Sequence, residues 1–314
     1  MKLKKKYLIS IVISSFIFFS CGSNNSMKDT TLLTYSKFRK SQKSFLSTDG
    51  IIKYIDKGEG KVILLLHGIP TSSWLYRKMI DGLVSKGYRV IAPDMLGFGN
   101  SDAPDGYEIY SAKQHGKRIL ELMNDLDINK WSHVTHDAGG LWTWALFKQD
   151  NQRIEKLILL NTIVYEEGFH PPIRMKKGVI AKLSMWLYKN GVTTNLLLKG
   201  LFKSGLVENN LTKTEIEGYK KPLLEGKTKG MYYFFSKTCN TFPDNESIIK
   251  NLEIPVAVIW GKHDKMLQIA PQKKKMMDAM KIQEKDIHII DAKHFIQEEK
   301  PTDINSLILN FIKE

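Results

Sequence analysis

The apolar positions along the chain fall into two periods that alternate. Val62 to Leu66 is an unbroken apolar run, the pattern of a strand buried on both faces of a parallel sheet. Tyr88 to Ala92, the stretch from Trp131 to Asp137, Ile154 to Leu160, Ile254 to Trp260 and Ile287 to Ile290 repeat the signal. Between them, 3.6-residue patterns predict helices from about Trp74 to Ser85, from Ala112 to Leu126, after Gly140, and from Pro301 to Ile312. Thr71-Ser72-Ser73 supplies N-cap chemistry for the first of these. Upstream, Ser44 to Asp56 reads as a hairpin turning at Asp49-Gly50, whose residue types tolerate positive φ. Strand and helix in alternation mean an α/β domain, a mostly parallel twisted sheet with helices on both faces.

The rhythm stops between residues 165 and 250, where patterns such as Gly178 to Lys189 and Lys229 to Ser236 are helical and no strand is evident. An insertion placed there would cover the carboxyl ends of the strands as a helical cap. The expected division is therefore a core of residues 44–164 and 251–314 and a cap of residues 165–250. There is no internal repeat.

One junction stands out chemically. His133-Val-Thr-His136 ends a strand, Asp137 follows, and Ala138-Gly139-Gly140 opens a helix. A sharp strand-to-helix turn lifts one side chain clear of the sheet, and small neighbours let the helix pack behind it. Here the lifted group is a carboxylate. An Asp before a helix can also simply cap it, so the rest of the chain has to decide.

Composition adds a compartment. The formal charge of the 314-residue chain is +14, but its lysines are spread over the whole length with no nucleic-acid-binding motif, which reads as a diffuse lysine bias and not as the mark of a nucleic-acid or anionic-membrane partner. Lys2, Lys4, Lys5 and Lys6 precede an apolar stretch from Tyr7 to Phe19 and then Ser20-Cys21, the layout of a secretory signal too short to span a bilayer comfortably. Ser20-Cys21 resembles a bacterial lipobox, with Phe18 where that motif usually carries a small aliphatic residue. The expectation is a signal peptide over residues 1–20, a lipid anchor on Cys21 to an extracytoplasmic membrane face, and a polar tether over residues 21–43. Removing residues 1–20 takes four lysines and leaves a charge of +10. Cys239, the other cysteine, is expected to be a packing residue.

Four segments then occur together and in order: His67-Gly-Ile-Pro70, Asp94-Met-Leu-Gly-Phe-Gly-Asn-Ser-Asp102, His136-Asp-Ala-Gly-Gly140 and Ala292-Lys-His-Phe-Ile-Gln-Glu-Glu299. Over about residues 44–313 the chain resembles the α/β-hydrolase superfamily, and within it the epoxide hydrolase and haloalkane dehalogenase branch that uses an aspartate nucleophile. The resemblance implies the order nucleophile, acid, base, which falls on Asp137, Asp264 and His294. Asp94 and Asn161 also end strands and are alternative orienting groups. The resemblance further implies an oxyanion hole from the backbone N–H groups of Ala138 and Ile69, with a cis Ile69-Pro70 bond, and no cofactor. No metal is implied: His133 and His136 would point to opposite faces of a strand. His67 and His136 are expected to orient loops, and His115, His170, His263 and His288 carry no signal, the first two and the last looking exposed.

What such a site would act on turns on its donors. Haloalkane dehalogenases characteristically bind the departing halide with a Trp after the nucleophile and a further Asn or Trp. Here the corresponding positions are Ala138 and Ile69, which have no side-chain donor. Epoxide hydrolases protonate the opening ring with cap tyrosines, and this cap has Tyr188, Tyr219, Tyr232 and Tyr233. Tyr232 and Tyr233, in Gly230-Met-Tyr-Tyr-Phe-Phe235, lie closest to where relatives carry one. The reading is an epoxide hydrolase acting with water on a small hydrophobic electrophile; the alternatives are a haloalkane dehalogenase-like hydrolase and, from another class, a non-catalytic binding protein on the same fold.

Overall fold

A computed structural model describes residues 33–313, and residues 34–314 form one compact unit. Its centre is an eight-stranded sheet of β1 (Lys43–Ser47), β2 (Gly50–Lys57), β3 (Lys61–Leu66), β4 (Tyr88–Asp94), β5 (Trp131–Asp137), β6 (Ile154–Thr162), β7 (Val256–Gly261) and β8 (Ile287–Ile290), in the order β1-β2-β4-β3-β5-β6-β7-β8. β1 and β2 run antiparallel to their neighbours, and β4 through β8 with β3 are parallel. The interior strands are the uninterrupted apolar runs, with Ile63 to Leu66 and Leu157 to Leu160 fully buried, as a sheet covered on both faces requires. The hairpin forms, but its two-residue turn is Thr48-Asp49, because Ser47 pairs with Gly50; of these residues only Gly50 takes a positive φ.

The core helices are α1 (Tyr35–Ser41), α2 (Arg77–Val84), α3 (Ala112–Asp125), α4 (Gly139–Phe147), α10 (Lys273–Met280), α11 (Ile296–Glu299) and α12 (Pro301–Lys313). The segment expected to form the cap contributes α5 (Val179–Leu187), α6 (Gly191–Gly205), α7 (Lys213–Leu224), α8 (Lys229–Ser236) and α9 (Glu246–Lys250). As expected, no named strand lies between residues 165 and 250.

The tether needs correcting. Residues 35–41 form α1, capped by Thr34, and Tyr35 and Phe38 bury their rings edge-on against Trp74 at 5.3 and 5.0 Å. Two aromatics three residues apart make one apolar helix face, a signal hidden by the polar residues around it. The signal segment and Cys21 lie outside the described residues. Among those described, no helix is long and apolar enough to cross a membrane.

The sheet order reverses direction at β3, whose neighbours are β4 and β5. A reversal of this kind opens a crevice at the carboxyl ends of the strands. The segments after β3 and β5, Gly68-Ile69 and Asp137-Ala138, meet there.

Candidate active site

Asp137 ends β5 with φ 51°, a left-handed conformation that costs a non-glycine residue on the order of 1–3 kcal/mol. The backbone is held in place: its carbonyl accepts from Thr162 Oγ1 at 2.7 Å and from the Ile163 N–H at 3.0 Å. Close packing demands the glycines beside it. A Cβ on Gly139 would fall 2.7 Å from the carbonyl oxygen of His67, and one on Gly68 would fall 2.2 Å from Oδ1 of Asp137 itself. Asp137 is therefore part of a built turn and does not serve as a simple helix cap.

The carboxylate has two distinct oxygens. Oδ1 accepts from the Ile69 N–H at 2.6 Å, and the Ala138 N–H also favours the charged carboxylate. Oδ2 faces Nε2 of His294 at 3.6 Å, beyond a hydrogen bond, so a gap separates them. On the other side of the imidazole, Nδ1 lies 2.8 Å from Oδ2 of Asp264. Asp264 is fixed in turn by Asn161 Nδ2 at 2.6 Å and by the N–H groups of Met266 and Leu267. Asn161 is thus a positioning residue for Asp264 and does not itself orient the imidazole; its own left-handed φ of 33° and its bond from the Gly261 N–H lock it. Asp94 sits elsewhere, accepting from Ser73, Asn100 and Gln42.

Electrostatics follow from burial. Burial raises the Asp137 carboxyl above the ordinary aspartate value, against the opposing pull of His294 and the two backbone N–H groups. Burial acts to lower His294, but the Asp264 and Asp137 carboxylates outweigh it and hold the imidazole above its usual value. Asp264 is lowered: burial works against it, and His294, Asn161 and Leu267 prevail.

Four other histidines, His67, His115, His133 and His136, are buried. His67 accepts from the Met95 N–H through Nε2, and burial lowers it to about 4. His136 Nε2 meets the backbone carbonyl of His294 at 3.0 Å, and His133 bonds Thr143 on the opposite face. His115 is buried, against expectation, because its ring packs 4.5 Å from Trp142. No group of His, Cys, Asp or Glu among the described residues could hold a metal. Cys239 is buried, which pushes its thiol up to about 12.

A cavity of about 240 Å³ lies over this cluster, and its wall is apolar apart from three side chains: Asp137, His294 and Tyr188. Tyr232 and Tyr233 do not line it. On α8 the cavity face is Met231, Phe234 and Phe235, spaced i, i+3, i+4, so the residues between are turned away. Tyr233 bonds Glu108 at 3.2 Å, and Tyr232 packs on Tyr107 in a neighbouring cleft. Tyr188 shares the inner face of its segment with Met185, three residues back, a spacing readable in the sequence once the cap's inward side is known.

The alpha/beta hydrolase fold model matches residues 61–301. The chain belongs to the α/β-hydrolase family. Among the relatives of this hydrolase are epoxide hydrolase 3 of Xenopus tropicalis, 26% identical over 83% of this chain and 74% of the relative, and a haloalkane dehalogenase of Psychrobacter cryohalolentis, 27% identical over 84% and 88%. A solved epoxide hydrolase from Vigna radiata superposes with a TM-score of 0.70 at 21% identity, covering 87% of this chain and 97% of that one, a likeness of fold.

Proposed function

We propose that this hydrolase opens epoxides through a covalent ester on Asp137. The observation that carries the reading is the cavity wall, whose polar side chains are one carboxylate, one imidazole and one phenol. Oδ2 of Asp137 attacks an epoxide carbon, the C–O bond breaks, and the ring oxygen takes the proton of Tyr188. Among the described residues no hydrogen bond holds the Tyr188 hydroxyl, which leaves it free to turn to a ligand. Water approaching beside Asp137 and His294 from the cavity then gives a proton to Nε2 and attacks the ester carbonyl. The developing oxyanion is Oδ1, which already accepts from the Ile69 N–H, and the Ala138 N–H is the second donor in this reading. Collapse of the adduct frees the diol and restores Asp137. The proton on His294 returns through solvent to Tyr188, and Asp264 stabilises the imidazolium meanwhile.

Haloalkane cleavage is disfavoured on the same geometry. A leaving halide would find no Trp or Asn side chain in the cavity wall, and loss of a single preorganised donor costs on the order of 3 kcal/mol elsewhere.

The test is a side-by-side assay of styrene-oxide-type epoxides, bromoalkanes and p-nitrophenyl esters with Asp137→Ala, His294→Gln and Tyr188→Phe variants. Diol formation should vanish in Asp137→Ala. In His294→Gln epoxide consumption should stop after one equivalent with no diol released, the substrate mass being retained on Asp137. Tyr188→Phe should slow epoxide opening by roughly 10²-fold. Bromide release in excess of diol would overturn the reaction class, and absence of any Asp137-dependent turnover would favour a binding protein.

A further inference from the structure

Surface helices of a globular protein bury one face and present polar residues on the other. α5 does not. Its inner positions Ala181 and Met185 are buried, yet its outer positions are Val179, Ile180, Leu183, Trp186 and Leu187, exposed by 81, 82, 54, 60 and 40%. The adjoining α6 adds Val192 and Leu196, exposed by 68 and 65%. Eight of the thirteen exposed large hydrophobic side chains among the described residues fall between residues 173 and 196. Exposed apolar side chains scattered singly need no explanation, whereas a cluster of this kind marks an interaction surface.

The charge around the cluster selects the partner. From Gly168 to Val207 the chain has no Asp or Glu, and it carries Arg174, Lys176, Lys177, Lys182, Lys189, Lys199 and Lys203. Beside the apolar face lies a cleft of about 640 Å³ lined by Lys177, Lys182, Lys189 and Lys229 together with Trp186. Among the described residues, only Lys229 of these four has a carboxylate partner, Asp105 at 2.7 Å. A second copy meeting this face across a two-fold axis would set lysines against lysines with no acid in the segment to offset them. A bilayer with anionic headgroups supplies both complements: acyl chains for the leucine, isoleucine and tryptophan side chains, phosphates for the lysines.

We infer that the outer face of α5 and α6 docks on an anionic lipid surface, with the lysine cleft taking phosphate headgroups. Docking is independent of the reaction at Asp137. It bears on the site in one respect: Ile173, 42% exposed within the same segment, also lines the cavity over Asp137.

The protein carries its own reporter. Of its six tryptophans, Trp74, Trp131, Trp142, Trp144 and Trp260 are buried, and Trp186 alone is exposed. The full chain is mixed with phosphatidylglycerol–phosphatidylcholine vesicles bearing brominated acyl chains, and tryptophan quenching is followed. The expected result is quenching that disappears in Trp186→Phe and needs at least tenfold more lipid in Lys182→Glu/Lys189→Glu, whose circular dichroism should match the parent. Vesicle co-sedimentation without Trp186 quenching overturns the proposal, because the protein would then be held elsewhere. Equal quenching by pure phosphatidylcholine vesicles overturns the anionic specificity. Protection of Trp186 from acrylamide before any lipid is added also overturns it: the cover is then protein, a second copy if protection rises with concentration and the chain's own residues 7–19 if it does not.

Discussion

At the scale of single residues, the imidazole of His294 is governed by two carboxylates with different fates. In the free enzyme both Asp264 and Asp137 hold it above its usual value. In the proposed alkyl-enzyme Asp137 is an uncharged ester, and Asp264 alone opposes burial. His294 must be neutral to take a proton from water, so ester hydrolysis is lost as pH falls through the pKa of that intermediate. Asp264→Asn removes the remaining anion, and burial then lowers the pKa further. The limb of the pH profile should move to lower pH, while the plateau rate drops on the order of 10³-fold because the ring has lost its orienting acceptor. Single-turnover decay of the alkyl-enzyme, measured from pH 5 to 9, checks both. A limb that stays in place would mean that Asp264 does not set the imidazole's charge.

Between residue and fold stand the turns and helices that carry the site. The turn after β3 is as constrained as the one after β5, since a methyl on Gly68 would meet Asp137 Oδ1 at 2.2 Å and the Ala138 nitrogen at 2.7 Å. Gly68→Ala should therefore displace the carboxylate from its N–H donors and cut turnover by at least 10²-fold, with thermal unfolding changed far less than activity. Cap and core are joined by a buried cluster: Arg77 on α2 bonds Glu298 on α11 and Glu215 on α7, and Tyr219 on α7 donates to Glu298. Arg77→Ala leaves Glu298, whose side chain is 1% exposed, with Lys78 as its remaining cation, and should cost about 3 kcal/mol, or roughly 5 °C in calorimetry. The sheet strands and the elbow were legible in the sequence because buried strands read as apolar runs; the order Asp137, Asp264, His294 came only from the resemblance to a family, and the structure brings those three side chains side by side. The direction of the cap helices was not legible. Tyr232 and Tyr233 were the expected donors and Tyr188 lines the cavity, because α8 is apolar or aromatic nearly all round and periodicity alone does not tell which side meets the core. Asn161 was legible as a strand-end polar residue; its bond to Asp264 depends on β6 and β7 being neighbours.

For the molecule as a whole, the N-terminal residues and the domain make separate demands. The compact unit begins at Thr34, and α1 directly after it is packed against Trp74. Lys2 to Lys6, the apolar stretch to Phe19 and Ser20-Cys21 have a composition suited to export and acylation. An acyl anchor on Cys21 would leave only about twelve residues before Thr34, at most roughly 40 Å of extended chain, which would keep the domain near the membrane surface. The free energy of one acyl chain gives only marginal binding, and stable attachment takes a second signal such as further acylation or a basic surface. If residues 1–20 are removed, the lysines of α5 and α6 would, on the docking proposed above, supply such a surface. Intact-mass spectrometry of protein recovered from a bacterial membrane fraction should show loss of residues 1–20 and added acyl mass on the peptide beginning at Cys21. Cys21→Ser should retain the leader and lose that mass. Recovery of the unprocessed chain from wild-type cells, or of a mature N-terminus without acyl groups, would remove the anchor and leave surface binding to the folded domain alone.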